Sequence, residues 1–193
     1  MKMSITGFFN YRGLTTMQHN DVGNKFLKLI QELKPKKVLE LGTASGGLTL
    51  LLRDLLDENG FEDTTIVTYD VNHPNYLQNY VDEGSRIKIN VKNIFNHSYN
   101  QIEDGSDVIN YISSEGTTLV LCDGGSKINE FNLLSNYLKV GDVIMAHDYS
   151  PNKEYFEKEL LDKIWNWMEI QDSDIEESCT KNNLIPHMAE ESN

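Results

Sequence analysis

The chain reads as an α/β protein with a Rossmann-like, doubly wound, mostly parallel sheet. Three observations predict this. Short β-like runs alternate along the chain with stretches of helical period, the pattern of a parallel sheet wrapped by helices. Thr117–Cys122 is continuously apolar, as a strand buried on both faces should be. A glycine-rich turn from Gly42 to Gly47 joins one β-like run directly to a leucine-rich stretch. At 193 residues the chain is expected to form one domain spanning 1–193.

The elements follow in order. Residues 1–20 form a lead-in segment. The first helix is predicted from Asn20-Asp21, good N-cap types, with Val22, Phe26, Leu29, Ile30 and Leu33 close to a 3.6-residue repeat and Pro35 as its stop. Lys37–Leu41 is short enough to be the central strand, and a helix follows from about Leu48 to Leu56. Thr65–Tyr69 makes the second strand and ends on Asp70, before Asn72-His73-Pro74-Asn75 breaks the chain into a loop. Arg86–Asn90 alternates polar and apolar residues, as a strand near the sheet edge does. Thr117–Cys122 and Gly141–Ala146 are the fourth and fifth strands. A last helix is predicted from about Lys153 to Met168, with Phe156, Leu160, Ile164 and Trp167 on one stripe. From Gln171 to Asn193 the chain is acidic and poorly patterned. Asn183–Met188 is the sole weak candidate for a further strand there.

Composition narrows the function. Seventeen basic against 30 acidic residues leave a net charge of −13, which repels a phosphate backbone and disfavours nucleic-acid and anionic-membrane partners. No apolar run approaches the ~18 residues of a membrane span. Met1–Gly7 lacks the apolar stretch of a secretory signal. Two cysteines cannot build a disulfide framework, so a reduced, cytoplasmic protein is expected.

The residues that carry chemistry lie at strand ends. In Gly42-Thr43-Ala44-Ser45-Gly46-Gly47 the glycines let backbone approach a ligand, and the following helix offers free N–H groups. The spacing is neither that of a dinucleotide fingerprint nor that of a phosphate-binding loop. Glu40, two residues before Gly42, would repel a pyrophosphate but suits a cationic ligand. Asp70 is placed to accept hydrogen bonds from a ribose diol. A tight turn and helix-capping acids are the plain reading of the same features.

At these residues the chain resembles class I S-adenosylmethionine-dependent methyltransferases, through Val38-Leu39-Glu40-Leu41-Gly42-Thr43-Ala44-Ser45-Gly46-Gly47 and Val67-Thr68-Tyr69-Asp70. The resemblance covers roughly residues 20–150. It implies strand order 3-2-1-4-5, the ligand over the carboxyl ends, and a cofactor site at Glu40, Gly42, Thr43, Gly46, Asp70 and Asn93. Glu40 would face the methionyl ammonium, and Asn93 falls where relatives place an acid near the adenine. Leu121-Cys122-Asp123-Gly124-Gly125-Ser126-Lys127, Met145-Ala146-His147-Asp148-Tyr149 and Gly13-Leu14-Thr15-Thr16-Met17-Gln18 are similar to the cephalosporin-hydroxylase and rhamnosyl O-methyltransferase-like group. In that group carboxylates ending the fourth and fifth strands hold a divalent cation, Mg²⁺ or Mn²⁺, that binds acceptor hydroxyls. Asp123 and Asp148 fall there, with helix capping as their other reading. A hard cation prefers oxygen ligands and lowers the pKa of a bound hydroxyl.

His147 departs from the group, where an acid is common. It is a third metal ligand, a general base, or a histidine packed on the sheet. Lys127 either deprotonates or orients the acceptor, or is a solvated lysine at a helix start. Trp165 and Trp167 are expected to belong to the last helix and to be poor evidence for an acceptor pocket. The family sheet ends with two further strands that the sequence does not show. Either the sheet is short at that edge, another segment fills it, or the chain continues beyond; an exposed fifth-strand edge would invite a homodimer.

The resulting expectation is methyl transfer, metal-assisted, to the oxygen of a small hydroxylated acceptor such as a sugar or natural product. A binding protein that kept the fold but lost turnover is a second reading, and an NAD-dependent oxidoreductase a third, disfavoured by the glycine spacing and Glu40. A base methyltransferase would need an Asn/Asp-Pro-Pro-aromatic motif where Asp123-Gly124-Gly125-Ser126 stands.

Overall fold

Lys37–Leu41 lies at the centre of a five-stranded sheet in a computed structural model, which describes residues 9–74, 76–82, 84–103 and 106–187. In chain order the elements are a small hairpin, β1 (Asn10–Tyr11) and β2 (Leu14–Thr15), then α1 (Val22–Leu33), β3 (Lys37–Leu41), α2 (Gly47–Glu58), β4 (Thr65–Asp70) and β5 (Ile87–Val91). They continue with α3 (Ser106–Ser113), β6 (Thr118–Cys122), α4 (Lys127–Leu134), β7 (Val143–Ala146), α5 (Lys153–Tyr155) and α6 (Asp172–Asn182). The sheet runs β5-β4-β3-β6-β7 with every pair parallel, which is the expected order 3-2-1-4-5.

Every residue of β3 and β6 is buried, because helices cover both faces of these inner strands. Alternation sorts their side chains. Val38, Ile66, Leu119 and Leu121 pack with Phe26, Leu29 and Ile30 of α1 and with the leucines of α2. Leu39, Leu41, Val67, Val120 and Cys122 pack on the other face with Val108 and Ile112 of α3 and Phe131 and Leu134 of α4. A sheet clad on both faces opens only at its strand ends, and this is where ligands reach such folds.

The chain after β7 differs from the expectation. Asn152 caps α5 by accepting the Tyr155 N–H at 2.8 Å, but the helix loosens into a wide π turn over Phe156–Leu160 and ends. Asp162 adopts a left-handed conformation, φ 58°, so no helix reaches Met168. The apolar stripe finds no core to bury in: Ile164 and Trp167 remain 44% exposed. Conversely, part of the tail is ordered as α6, started by a capping box in which Gln171 and Asp174 bond each other's backbone, and packed beside α4. Asn183, in the left-handed region, caps its C-terminus, so residues 183–187 form a loop rather than a strand; Met188 lies outside the described residues. Among the described residues β7 is the sheet's edge, extended only by a single bridge between Tyr149 and Ile170.

Candidate active site

The carboxyl ends of β3, β4, β6 and β7 open into a cleft of about 480 Å³. Gly42, Thr43, Ala44, Asp70, Asn93, Asp123, Lys127, His147 and Asp148 all line it. Of the site residues expected from sequence, the structure therefore brings eight to one place, with Ala44 of the glycine turn beside them. Glu40 and Gly46 do not join them.

Glu40 points to the α2 face of the sheet, opposite its register partner Thr68 on β4. It is wholly buried; Oε2 accepts from Thr49 Oγ1 at 2.5 Å, while Oε1 has no hydrogen-bond partner among the described residues. Burial raises its carboxyl to about 7, partly opposed by the hydroxyls of Thr49 and Thr68. Gly46 supports the turn from behind: with φ 83° it caps α2, and a Cβ there would lie 2.8 Å from the side chain of buried Leu77. Gly42 is where close approach matters for the cleft, since a Cβ there would come 2.1 Å from the Asp123 carbonyl oxygen.

Asp70 shapes the glycine turn as well as lining the cleft. Its Oδ2 accepts the Ala44 N–H and its Oδ1 the Asn72 N–H, both at 2.8 Å. Asn93 closes its own turn by accepting the Phe95 N–H at 3.0 Å.

The opposite half of the cleft is a hub of charge. Asp123 continues β6, its N–H bonded to Leu41 O, and the His147 N–H continues β7 by bonding Cys122 O. Asp148 then takes a left-handed conformation, φ 58°, tolerable for aspartate, and its carboxylate joins that of Asp123 on His147. His147 Nδ1 lies 3.2 Å from Asp123 Oδ1 and 3.1 Å from Asp148 Oδ1. Lys127 Nζ lies 3.2 Å from Asp148, 3.7 Å from Asp123 and 2.8 Å from Glu169. Lys127 is 7% exposed, so it is not the solvated helix-start lysine.

These contacts shift the proton affinities of the hub. Burial alone would lower His147, but hydrogen bonds to Asp123 and Asp148 and their charges outweigh it and hold the imidazole at about 9. Burial would raise Asp148, yet His147, Trp165 and Lys127 together pull it to about 2. Lys127 likewise overcomes its burial through Glu169, Asp123 and Asp148 and is raised. Held as ammonium among three acids, Lys127 stands as their charge partner.

Two residues that sequence reading set aside belong to this site. Trp165 Nε1–H donates to Asp148 Oδ1 at 2.5 Å, and its ring meets His147 edge-on, centroids 5.0 Å apart. Trp167 packs against Trp165 at 5.3 Å, and both line the cleft. The helical stripe through Trp167 concealed this, since nothing in the sequence shows the helix failing at Leu161. Gln18 is a further member: its Nε2 donates to Asp123 Oδ2 at 2.9 Å. It arrives on a strap, residues 9–18, pinned to α2 where Tyr11 Oη (2.8 Å) and Arg12 Nε (2.6 Å) donate to Asp54 Oδ2.

Asp123, His147 and Asp148 offer ligand atoms all within 4.8 Å of one another. Two carboxylates and an imidazole form a donor set suited to Mg²⁺, Mn²⁺ or a later transition metal. Glu169 gives the Lys127 ammonium a partner outside that set, so the residues fit a divalent cation.

No family model matches the chain, and no curated protein sequence matches it. Solved structures do. The apo form of CmcI superposes with TM-score 0.57 at 16% identity, over 79% of this chain and 61% of that one. CmcI with magnesium and S-adenosylmethionine gives 0.53 at 17%, over 78% and 61%. A Staphylococcus aureus structure described as a caffeoyl-CoA O-methyltransferase gives 0.50 at 17%, over 68% and 58%. The chain thus spans about 60% of the length of these proteins, and what it shares with them is the fold, a Rossmann-like α/β architecture. Among the described residues no helix is long and apolar enough to cross a membrane.

Proposed function

We propose that the chain is an S-adenosylmethionine-dependent O-methyltransferase, of the cephalosporin-hydroxylase and rhamnosyl O-methyltransferase-like group, acting on a small hydroxylated acceptor with help from a divalent cation. The observation that carries the reading is a single cleft with the glycine turn and Asp70 at one end and Asp123, His147 and Asp148 at the other. One end suits a nucleoside cofactor, the other an acceptor hydroxyl. Two structures of CmcI, solved with S-adenosylmethionine and with its demethylated product and sharing this fold, support the first half.

In this reading the turn Gly42–Ala44 and Asp70 hold the cofactor, whose sulfonium supplies an electrophilic methyl group. Asp123, His147 and Asp148 would hold the cation, which supplies positive charge where an acceptor hydroxyl becomes an alkoxide. The chain's own groups do the rest. Lys127, fixed as ammonium by Glu169, keeps the acid pair compensated. His147 serves either as ligand or as base only after losing the proton it shares with Asp123 and Asp148. The Trp165–Trp167 wall flanks the acceptor end.

The test pairs binding with turnover. S-adenosylhomocysteine should bind by calorimetry while NADH does not, and Asp123→Asn or Asp148→Asn should spare that binding but abolish metal-dependent methyl transfer to hydroxylated acceptors. Full activity in EDTA would remove the cation from the mechanism. Cofactor binding with no transfer to any acceptor would make the chain a silent binding protein.

A further inference from the structure

Asp123 meets the charged hub through Oδ1 alone, because Oδ2 is already committed. The bond from Gln18 Nε2 bridges 105 residues of sequence, and Gln18 is 5% exposed, so water does not compete for it. A carboxylate oxygen only accepts, which fixes the amide nitrogen towards Asp123. The side chain that delivers it is itself held. Thr16 N–H bonds Phe9 O at 3.0 Å, Ser45 Oγ donates to Thr15 O at 3.2 Å, and the hairpin is pinned to Asp54.

Resting on the reading of Asp123, His147 and Asp148 as a cation site, we propose that Gln18 is a positioning residue that sets which cation is taken. By occupying Oδ2, the amide holds Asp123 to one-oxygen ligation through Oδ1. A compact cation with octahedral demands is served by single oxygens, whereas Ca²⁺ takes more oxygens and accepts carboxylates through both. Freed from Gln18, the Asp123 carboxylate turns about its own axis and offers both oxygens. Gln18 therefore favours Mn²⁺ or Mg²⁺ over Ca²⁺ without touching the ion. Hydrogen-bond partners of metal-binding carboxylates typically govern affinity by about 10–100-fold.

The experiment is calorimetric titration of Mn²⁺ and of Ca²⁺ into the wild-type chain, Gln18→Met and Gln18→Asn. Methionine keeps the length without the donor, and asparagine keeps the amide without the reach. Mn²⁺ should weaken about tenfold or more in both variants and Ca²⁺ by less than about threefold, with S-adenosylhomocysteine affinity and melting temperature retained. An unchanged Mn²⁺-over-Ca²⁺ ratio, whether neither ion or both weaken, overturns the proposal while leaving the cation site standing. Loss of the fold in both variants assigns Gln18 to structure and overturns it too. A wild-type chain that binds no Mn²⁺ removes the cation site itself, and this inference with it.

Discussion

Glu40 shows how one residue's chemistry was visible in sequence while its position was not. An acid closing a strand before a glycine turn reads as a ligand contact, but strand alternation sends it to the α2 face, where Thr49 takes one oxygen and, among the described residues, none takes the other. Its folded pKa of about 7 lies above the ordinary 4.5, so the folded state holds the proton more tightly than the unfolded one. Stability from this group is complete below about 4.5 and is lost as pH rises to about 7, a loss on the order of 3 kcal/mol. Glu40→Gln removes the ionisation. Its melting temperature should therefore gain on wild type as pH is raised from 5 to 8, and a constant difference across that range would contradict the burial argument. Asp70, Asp123 and Asp148 were legible because each closes a parallel strand, and parallel strands end at one rim. The partners that decide their behaviour, Gln18, Trp165 and Glu169, come from segments whose course the sequence pattern does not dictate.

Among the elements, the parallel strands were readable almost residue for residue, since a strand clad on both faces must be apolar throughout. The failure lay after β7. Phe156, Leu160, Ile164 and Trp167 satisfy a helical period, yet Ile164 and Trp167 stay exposed and Trp165 instead bonds Asp148. α6 carried a readable start signal in Gln171 and Asp174 that the acidic composition hid. The strap before α1 depends on a different anchor. Asp54, nearly buried, accepts from Tyr11 and Arg12 and also from Arg53 Nε at 2.9 Å, and these partners together outweigh its burial and lower its pKa. Asp54→Ala should cost about 1–3 kcal/mol by thermal or urea unfolding. It should also speed amide exchange in residues 9–18 while leaving β3 and β6 protected; uniform acceleration would mean that the strap is not a separate unit.

For the molecule as a whole, a ligand held at the carboxyl ends of β3 and β4 binds the folded chain and not the unfolded one, and so stabilises it. S-adenosylhomocysteine at a hundredfold excess over its Kd should add about 2.7 kcal/mol, or a rise of about 5–10 °C in melting temperature for a chain of this size. NADH at the same concentration should leave the transition where it is, and an equal rise with both would withdraw the distinction drawn from the glycine turn. The aromatic wall gives the chain one more property. Both of its tryptophans stand there, one touching His147 and Asp148 and the other exposed beside it. Indole fluorescence from this protein is consequently light from a single address, with no background from the core. Any cation, proton or acceptor that disturbs the hub writes its occupancy into the colour and intensity of that emission, so the site can be titrated optically without attaching a dye.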